Sequence, residues 1–254
     1  MLEVDHWLPG RTVVLAESKS GVRVTRSPLE NVVLHSPLIS LPPELLQKTY
    51  ASDRFEGRTP ADDALAREGL GYYCDLQSLN SEDAVTWSFF GTLAYMPASD
   101  RNLVCQALFK NLGLPAPQSD VFVWLWRRIP HPEKPESSGG PEIDFGLMSP
   151  DTLILGESKW NSPLGTGQGI NKDRSQLDLR LAFCEQLALR SLPSIRHRVV
   201  LGVGRTGDIL TTTSQSACAE IRNASWQELV SLFPTQLASE LDWYLAWRSN
   251  HARA

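Results

Sequence analysis

An α/β fold with a mixed central sheet flanked by helices is predicted for this chain, on three observations. Four apolar runs of strand length, VFVWLWRRI, PEIDFGLMS, TLILGESKW and HRVVLGVG, lie between residues 121 and 204. Segments of helical period stand before the first run and between the third and fourth. Only a Ser-Pro-Asp turn separates the second run from the third. A middle hairpin followed by a helical crossover implies a mixed sheet with helices on both faces.

Residues 1–79 read as an N-terminal extension packed on a core of residues 80–254. TVVLAESK and GVRVTR form a plausible hairpin around a Lys-Ser-Gly turn. NVVLHSPLISLPPELL gives a short apolar run, then a Pro-Pro break that opens a helix at Glu44. Residues 51–67 are polar and read partly as loop.

From Asn80 the pattern is sharper. SEDAVTWSFFGTLAYM reads as a helix with Ser81 as N-cap, and Glu82 and Asp83 suit the positive end of its dipole. Glu82, Val85, Phe89 and Leu93 share its apolar face. A second helix is expected from about Arg101 to Leu112, stopped by Gly113. After the three strands, NSPLGTGQG leads into a helix from about Asn171 to Arg190. HRVVLGVG, a continuous apolar run, suits a covered sheet. SWQELVSLF is a short helix capped by Ser225, and PTQLASELDWYLAW a final helix with an apolar stripe.

Composition sets outer bounds. Of the 254 residues, 42% are hydrophobic and 21% charged, ordinary values for a globular protein. No apolar run approaches the roughly 18 residues that span a bilayer, and the start, MLEVDHWLPG, does not read as a signal peptide, so the expected location is cytoplasmic. The net charge of -5 is unlike that of a strongly basic nucleic-acid binder, yet residues 121–205 hold 11 Lys and Arg against 9 Asp and Glu. Cys74, Cys105, Cys184 and Cys218 are scattered, without zinc spacing, and read as buried reduced thiols.

The chemistry-bearing set is Asp144, Glu157 and Lys159. Asp144 lies about six residues before the Pro150–Asp151 turn and Glu157 about six after it, which sets them across from each other on adjacent strands. Glu157 and Lys159 are two apart, so they share a sheet face. Two close carboxylates repel, and a divalent cation resolves the repulsion; oxygen ligands favour Mg²⁺ or Mn²⁺. By the same repulsion, removing one carboxylate is expected to retain or raise thermal stability. An ammonium beside such a pair can orient a water or neutralise charge on a phosphorane-like transition state. VVLAESK, with Glu17 and Lys19 and with Asp5 upstream, repeats the short motif. It leaves no room for a preceding helix and strand, so it is expected to lie apart in the N-terminal hairpin.

GGPEIDFGLMSPDTLILGESKW resembles the PD-(D/E)xK nuclease superfamily, the restriction-endonuclease-like fold. Pro141 and Asp144 stand where the loose P-D element would be, with two residues between them, and Glu157 and Lys159 match (D/E)-x-K. The order of elements from Asn80 to Gly204, about half of the chain, is also similar to the superfamily core. The resemblance implies a nuclease dependent on Mg²⁺ or Mn²⁺, with DNA ahead of RNA as substrate. It implies metal ligation by Asp144 and Glu157, and by Glu82 as a further ligand with Asp83 the competing position. Gln176 is similar to the polar residue that many members carry on the helix after the lysine. A homodimer or a partner protein is left open, no membrane partner is expected, and the alternatives are a non-catalytic binding or assembly module and a phosphodiesterase acting on RNA or a nucleotide.

Other features weigh less. GTGQG lacks the G-K-[ST] ending of a P-loop and suits a loop beside the site better. The Ser and Thr runs have no His/Asp partners nearby in sequence. Trp124, Trp126, Trp243 and Trp247 read mainly as packing residues, with base stacking the lesser reading.

Overall fold

The computed structural model describes residues 2–17, 21–34, 41–50, 74–136, 140–162, 174–210 and 218–252. The chain is α/β and divides into two compact units, Met1–Tyr95 with Phe233–Ala254, and Met96–Leu232.

The first unit holds a three-stranded antiparallel sheet, β1 (Leu2–Asp5), β2 (Thr12–Glu17) and β3 (Arg23–Thr25), in that order. The β2–β3 pairing, Leu15 against Thr25 and Glu17 against Arg23, is the expected hairpin. Helix α1 (Pro43–Tyr50) starts at the Pro-Pro break. Helix α2 runs through Glu82–Thr86, a π-helical turn at Trp87–Gly91, and Thr92–Tyr95. Ser81 caps it, its Oγ accepting from Ala84 N at 3.1 Å.

The sequence reading joined α2 and the last helix to the sheet domain. Their buried partners lie instead in the first unit. Ser88 Oγ on α2 accepts from Val33 N at 2.9 Å, and Phe89 meets Phe233 edge to face. The last helix, Thr235–His251, buries Arg248 completely. Its guanidinium donates to Asn31 Oδ1 at 2.9 Å and Ser81 O at 2.8 Å. Tyr244 donates its hydroxyl to Asn31 O at 2.9 Å. Hydrogen bonds reaching more than 200 residues back, such as Tyr244 to Asn31, are invisible to a window that reads neighbours only.

His6 makes this unit sensitive to pH. Its Nδ1 accepts from Leu8 N at 3.1 Å, so its Nε2 is the donor to Glu30 O at 2.9 Å. Protonating Nδ1 breaks the first bond. Burial pulls the imidazole below its usual 6.5, with Arg11 adding to the pull and Glu30 opposing it. A depressed folded-state value means stability is full above the unfolded value and is lost as pH falls through the folded one. Urea unfolding followed by tryptophan fluorescence should therefore show stability dropping below about pH 6.5. His251, lowered chiefly by burial, titrates in the same direction, so His6→Gln should flatten the profile in part. A profile identical to wild type would remove His6 from this role.

The second unit opens with α3 (Ala98–Asn111). It ends as expected at Gly113, whose φ of 71° only glycine adopts readily. Gly113 N donates to Lys110 O and Leu114 N to Phe109 O, which closes the helix in a Schellman arrangement. The five-stranded sheet follows in the order β4 (Phe122–Arg128), β5 (Glu142–Met148), β6 (Thr152–Ser158), β7 (His197–Gly204), β8 (Glu220–Ser225). β4–β5 and β5–β6 are antiparallel; β6–β7 and β7–β8 are parallel. The sheet is thus mixed, and every residue of β6 is buried, so both of its faces are covered.

Helix α4 (Gln176–Phe183), continued by a π-helical turn at Cys184–Ala188 and a short turn at Leu189–Ser191, makes the crossover from β6 to β7. Ser175 caps it through Asp178 N at 3.1 Å. Residues 171–173, where the predicted helix begins, lie outside the described residues, as does the loop predicted at Gly165–Gly169. Leu177 and Leu181 of α4 join Leu153 and Leu155 of β6 and Val200 of β7 in one core cluster. β8 is absent from the sequence reading. Its residues, EIRNAS, are mostly half-exposed on a sheet edge and carry no apolar alternation. Helix α5 (Trp226–Val230) completes the unit. No helix among the described residues is long and apolar enough to cross a membrane.

Candidate functional site

The site grows from the β5–β6 hairpin. Its turn is closed by Ser149 N donating to Thr152 O at 2.9 Å. Asp151 Oδ1 accepts from Ser149 Oγ at 2.9 Å and Thr152 Oγ1 at 3.1 Å. Burial pushes the Asp151 carboxyl up, but these hydroxyls and the nearby His197 outweigh it and hold the group below its usual range. The turn fixes the register, which pairs Met148 with Leu153 and Phe145 with Gly156. Carried one step past its last pair, this register would set Asp144 across from Glu157.

Beyond Phe145 the ladder opens, and Asp144 Oδ2 accepts from Ser158 N at 2.7 Å. The strand on its other side is also interrupted. Pairing of β4 with β5 runs from Phe122–Met148 to Leu125–Phe145, skips Trp126, and resumes at Arg127–Ile143. Trp126 would face Asp144 and has a φ of 49°, unusual for a bulky residue. Such strain persists only where surrounding structure over-determines it. Glycines let aromatic rings lie flat beside the pair. A Cβ on Gly146 would stand 2.1 Å from the Trp124 ring, and one on Gly156 2.2 Å from that of Phe145.

Glu157 is 2% exposed. Its Oε1 lies 3.0 Å from Lys159 Nζ, and its Oε2 is held by the Arg180 guanidinium. Lys159 is fixed by its backbone. Its N–H donates to Val203 O at 2.8 Å, and its carbonyl accepts from the Trp226 indole at 2.9 Å. Arg180, 1% exposed, also donates to Glu142 O at 3.0 Å and to Gln176 Oε1 at 3.2 Å. Gln176 and Arg180 are four apart on α4, hence on one helix face.

Of the residues expected in the site, the second unit gathers Asp144, Glu157 and Lys159 and connects Gln176 to them through Arg180. Glu82 belongs to the first unit. It stands half-buried in the first turn of α2, on a cavity of about 330 Å³ that Asp75, Asn80 and Asp83 also line. Asp83, the competing position, pairs with Lys48 at 2.9 Å in that same unit. Glu17 lies in the N-terminal hairpin, as expected of the repeated motif, while Lys19 is outside the described residues.

Arg180 is the residue sequence reading missed. An arginine on a helix ordinarily reads as solvated surface. The available signal was its phase, since Leu177, Arg180, Leu181 and Cys184 follow helical spacing and all four are buried. A long cation on an apolar stripe needs a buried acid to meet it.

No family model, curated protein or solved structure matches the chain.

The donor set therefore speaks for itself. Among the described residues no three His, Cys, Asp or Glu side chains form a group that could hold a metal ion. Two carboxylates still suit Mg²⁺ or Mn²⁺, which bind through one or two carboxylates and keep several waters. Asp144 and Glu157 are the carboxylates of this hairpin that could contribute oxygen ligands to such an ion. The ion pairs also correct one expectation. Removing Glu157 takes away the acid that the buried Arg180 guanidinium meets, so that change is expected to destabilise the fold.

Proposed function

We propose that the second unit carries a restriction-endonuclease-like core and hydrolyses nucleic acid phosphodiesters, DNA ahead of RNA, with Mg²⁺ or Mn²⁺. The observation that carries this is the β5–β6 hairpin, which holds Asp144 on Ser158 N at 2.7 Å and sets the Lys159 ammonium 3.0 Å from Glu157. A cation held there supplies a Lewis acid and a more acidic water. Asp144 and Glu157 bind it, and the Ser158 N–H holds Asp144 in orientation. The Lys159 ammonium is a compact charge, suited to positioning a water or a phosphate oxygen and to stabilising charge that develops in the transition state. Gln176 acts through Arg180, whose grip fixes the Glu157 carboxylate.

The test is incubation of purified protein with supercoiled plasmid, linear DNA and RNA, with Mg²⁺, with Mn²⁺ and with EDTA. Cleavage that needs the cation and is abolished by EDTA is the expected result. One observation favours a second reading, a non-catalytic binding or assembly module: Glu157 is neutralised by the buried Arg180 and the half-buried Lys159, as in a structural ion-pair network. Binding of nucleic acid without cleavage under any of these conditions would select it.

A further inference from the structure

Glu157 is the deepest acid of the site, and a cation already stands on each of its oxygens. Lys159, with its side chain 12% exposed, sits at the edge of the cluster. Arg180 does not: it is 1% exposed and anchored at three places, Glu157, the Glu142 carbonyl and Gln176. A guanidinium cannot give up its proton, so this charge is permanent. We propose that Arg180 sets the divalent-cation affinity of the Asp144–Glu157 pair, holding it low by competing for Glu157. The inference rests on the nuclease reading above.

The argument is one of charge and of lone pairs. Two carboxylates and two side-chain cations cancel, so an incoming Mg²⁺ or Mn²⁺ gains little from the cluster's net field. The Oε2 lone pairs that a hard cation would use are committed to Arg180. Water screens such a contest poorly when both groups are almost wholly buried. Gln176 strengthens the competitor by fixing the guanidinium through the 3.2 Å hydrogen bond. A nucleic acid phosphate brings the negative charge that the cation-loaded cluster lacks. Arg180 is therefore a positioning residue whose effect falls on cation binding before any chemistry.

The experiment is calorimetric titration of the full chain with MnCl₂, without nucleic acid, for wild type, Arg180→Gln and Asp144→Asn, paired with thermal melts with and without Mn²⁺. Arg180→Gln should bind Mn²⁺ about tenfold more tightly than wild type. Mn²⁺ should also raise the melting temperature of Arg180→Gln more than that of wild type, because the cation takes over the neutralisation of Glu157. A purely structural arginine would give lower stability with no gain in Mn²⁺ affinity. Equal affinity in wild type and Arg180→Gln, lost in Asp144→Asn, overturns the inference and leaves the metal site standing. No Mn²⁺ binding by any variant, together with no cleavage by wild type, overturns both. If Arg180→Gln does not fold, Gln176→Ala carries the test. It loosens the guanidinium without removing it, and a gain of a few-fold is expected; no gain overturns the proposal.

Discussion

Lys159→Ala will slow cleavage by about two to three orders of magnitude, the usual cost of losing one preorganised group that stabilises a transition state. It will leave Mn²⁺ affinity unchanged or somewhat raised. The sign follows from the geometry. Lys159 Nζ is 3.0 Å from Glu157 Oε1, so the lysine is a neighbour of the proposed ligand set and not one of its donors. Removing it subtracts a positive charge beside the cation, which cannot weaken cation binding. The fold should tolerate the change, because Arg180 still neutralises Glu157 and the Lys159 backbone keeps its bonds to Val203 and Trp226. Turnover under saturating Mn²⁺ and substrate separates the effects, since a group acting only in the transition state lowers kcat without raising KM. Asp144→Ala gives the complementary pattern, with weakened Mn²⁺ binding and an unsatisfied Ser158 N–H. Unchanged turnover in Lys159→Ala would place any activity elsewhere in the chain.

The hairpin that builds the site was legible because two local signals agree there. Ser149 to Thr152 form a turn whose hydroxyl and carboxylate partners are all within three residues, and the flanking apolar runs have the length of strands. Local chemistry therefore sets the register as far as Phe145 and Gly156, the neighbours of Asp144 and Glu157. β8 was not legible. An edge strand in parallel pairing takes its order from β7, and Glu220, Arg222 and Asn223 give no alternation of their own. The two-unit division was hidden for a related reason. The segment from Phe233 on belongs with residues near the N-terminus through Tyr244 and Arg248 bonding to Asn31. Arg180 lies between these cases. Its phase was readable, but its partner, Glu157, is 23 residues away in the sequence.

Glu157→Ala will unfold the second unit more readily than any other single change in the cluster. Removing one partner of a buried ion pair costs about 3–5 kcal/mol, because the charge left behind has neither water nor counter-ion. Here Arg180, 1% exposed, is the charge left behind. For a chain of this size the loss corresponds to a fall in melting temperature of roughly 10 °C. The cost belongs to the unpaired arginine and not to the missing carboxylate, and that distinction can be measured. Glu157→Ala combined with Arg180→Met removes both charges and replaces the guanidinium stem with an apolar chain of similar length. Buried pairs exchanged for apolar residues are often neutral or stabilising, so the double variant should melt above Glu157→Ala. The interaction term should reach about 2 kcal/mol or more, as for residues in direct contact. Both variants should be inactive, the double variant while folded, which assigns its lost cleavage to the missing ligand. A double variant that melts at or below Glu157→Ala would mean that Arg180 is satisfied by Glu142 and Gln176 alone, and that the ion pair contributes little to the fold.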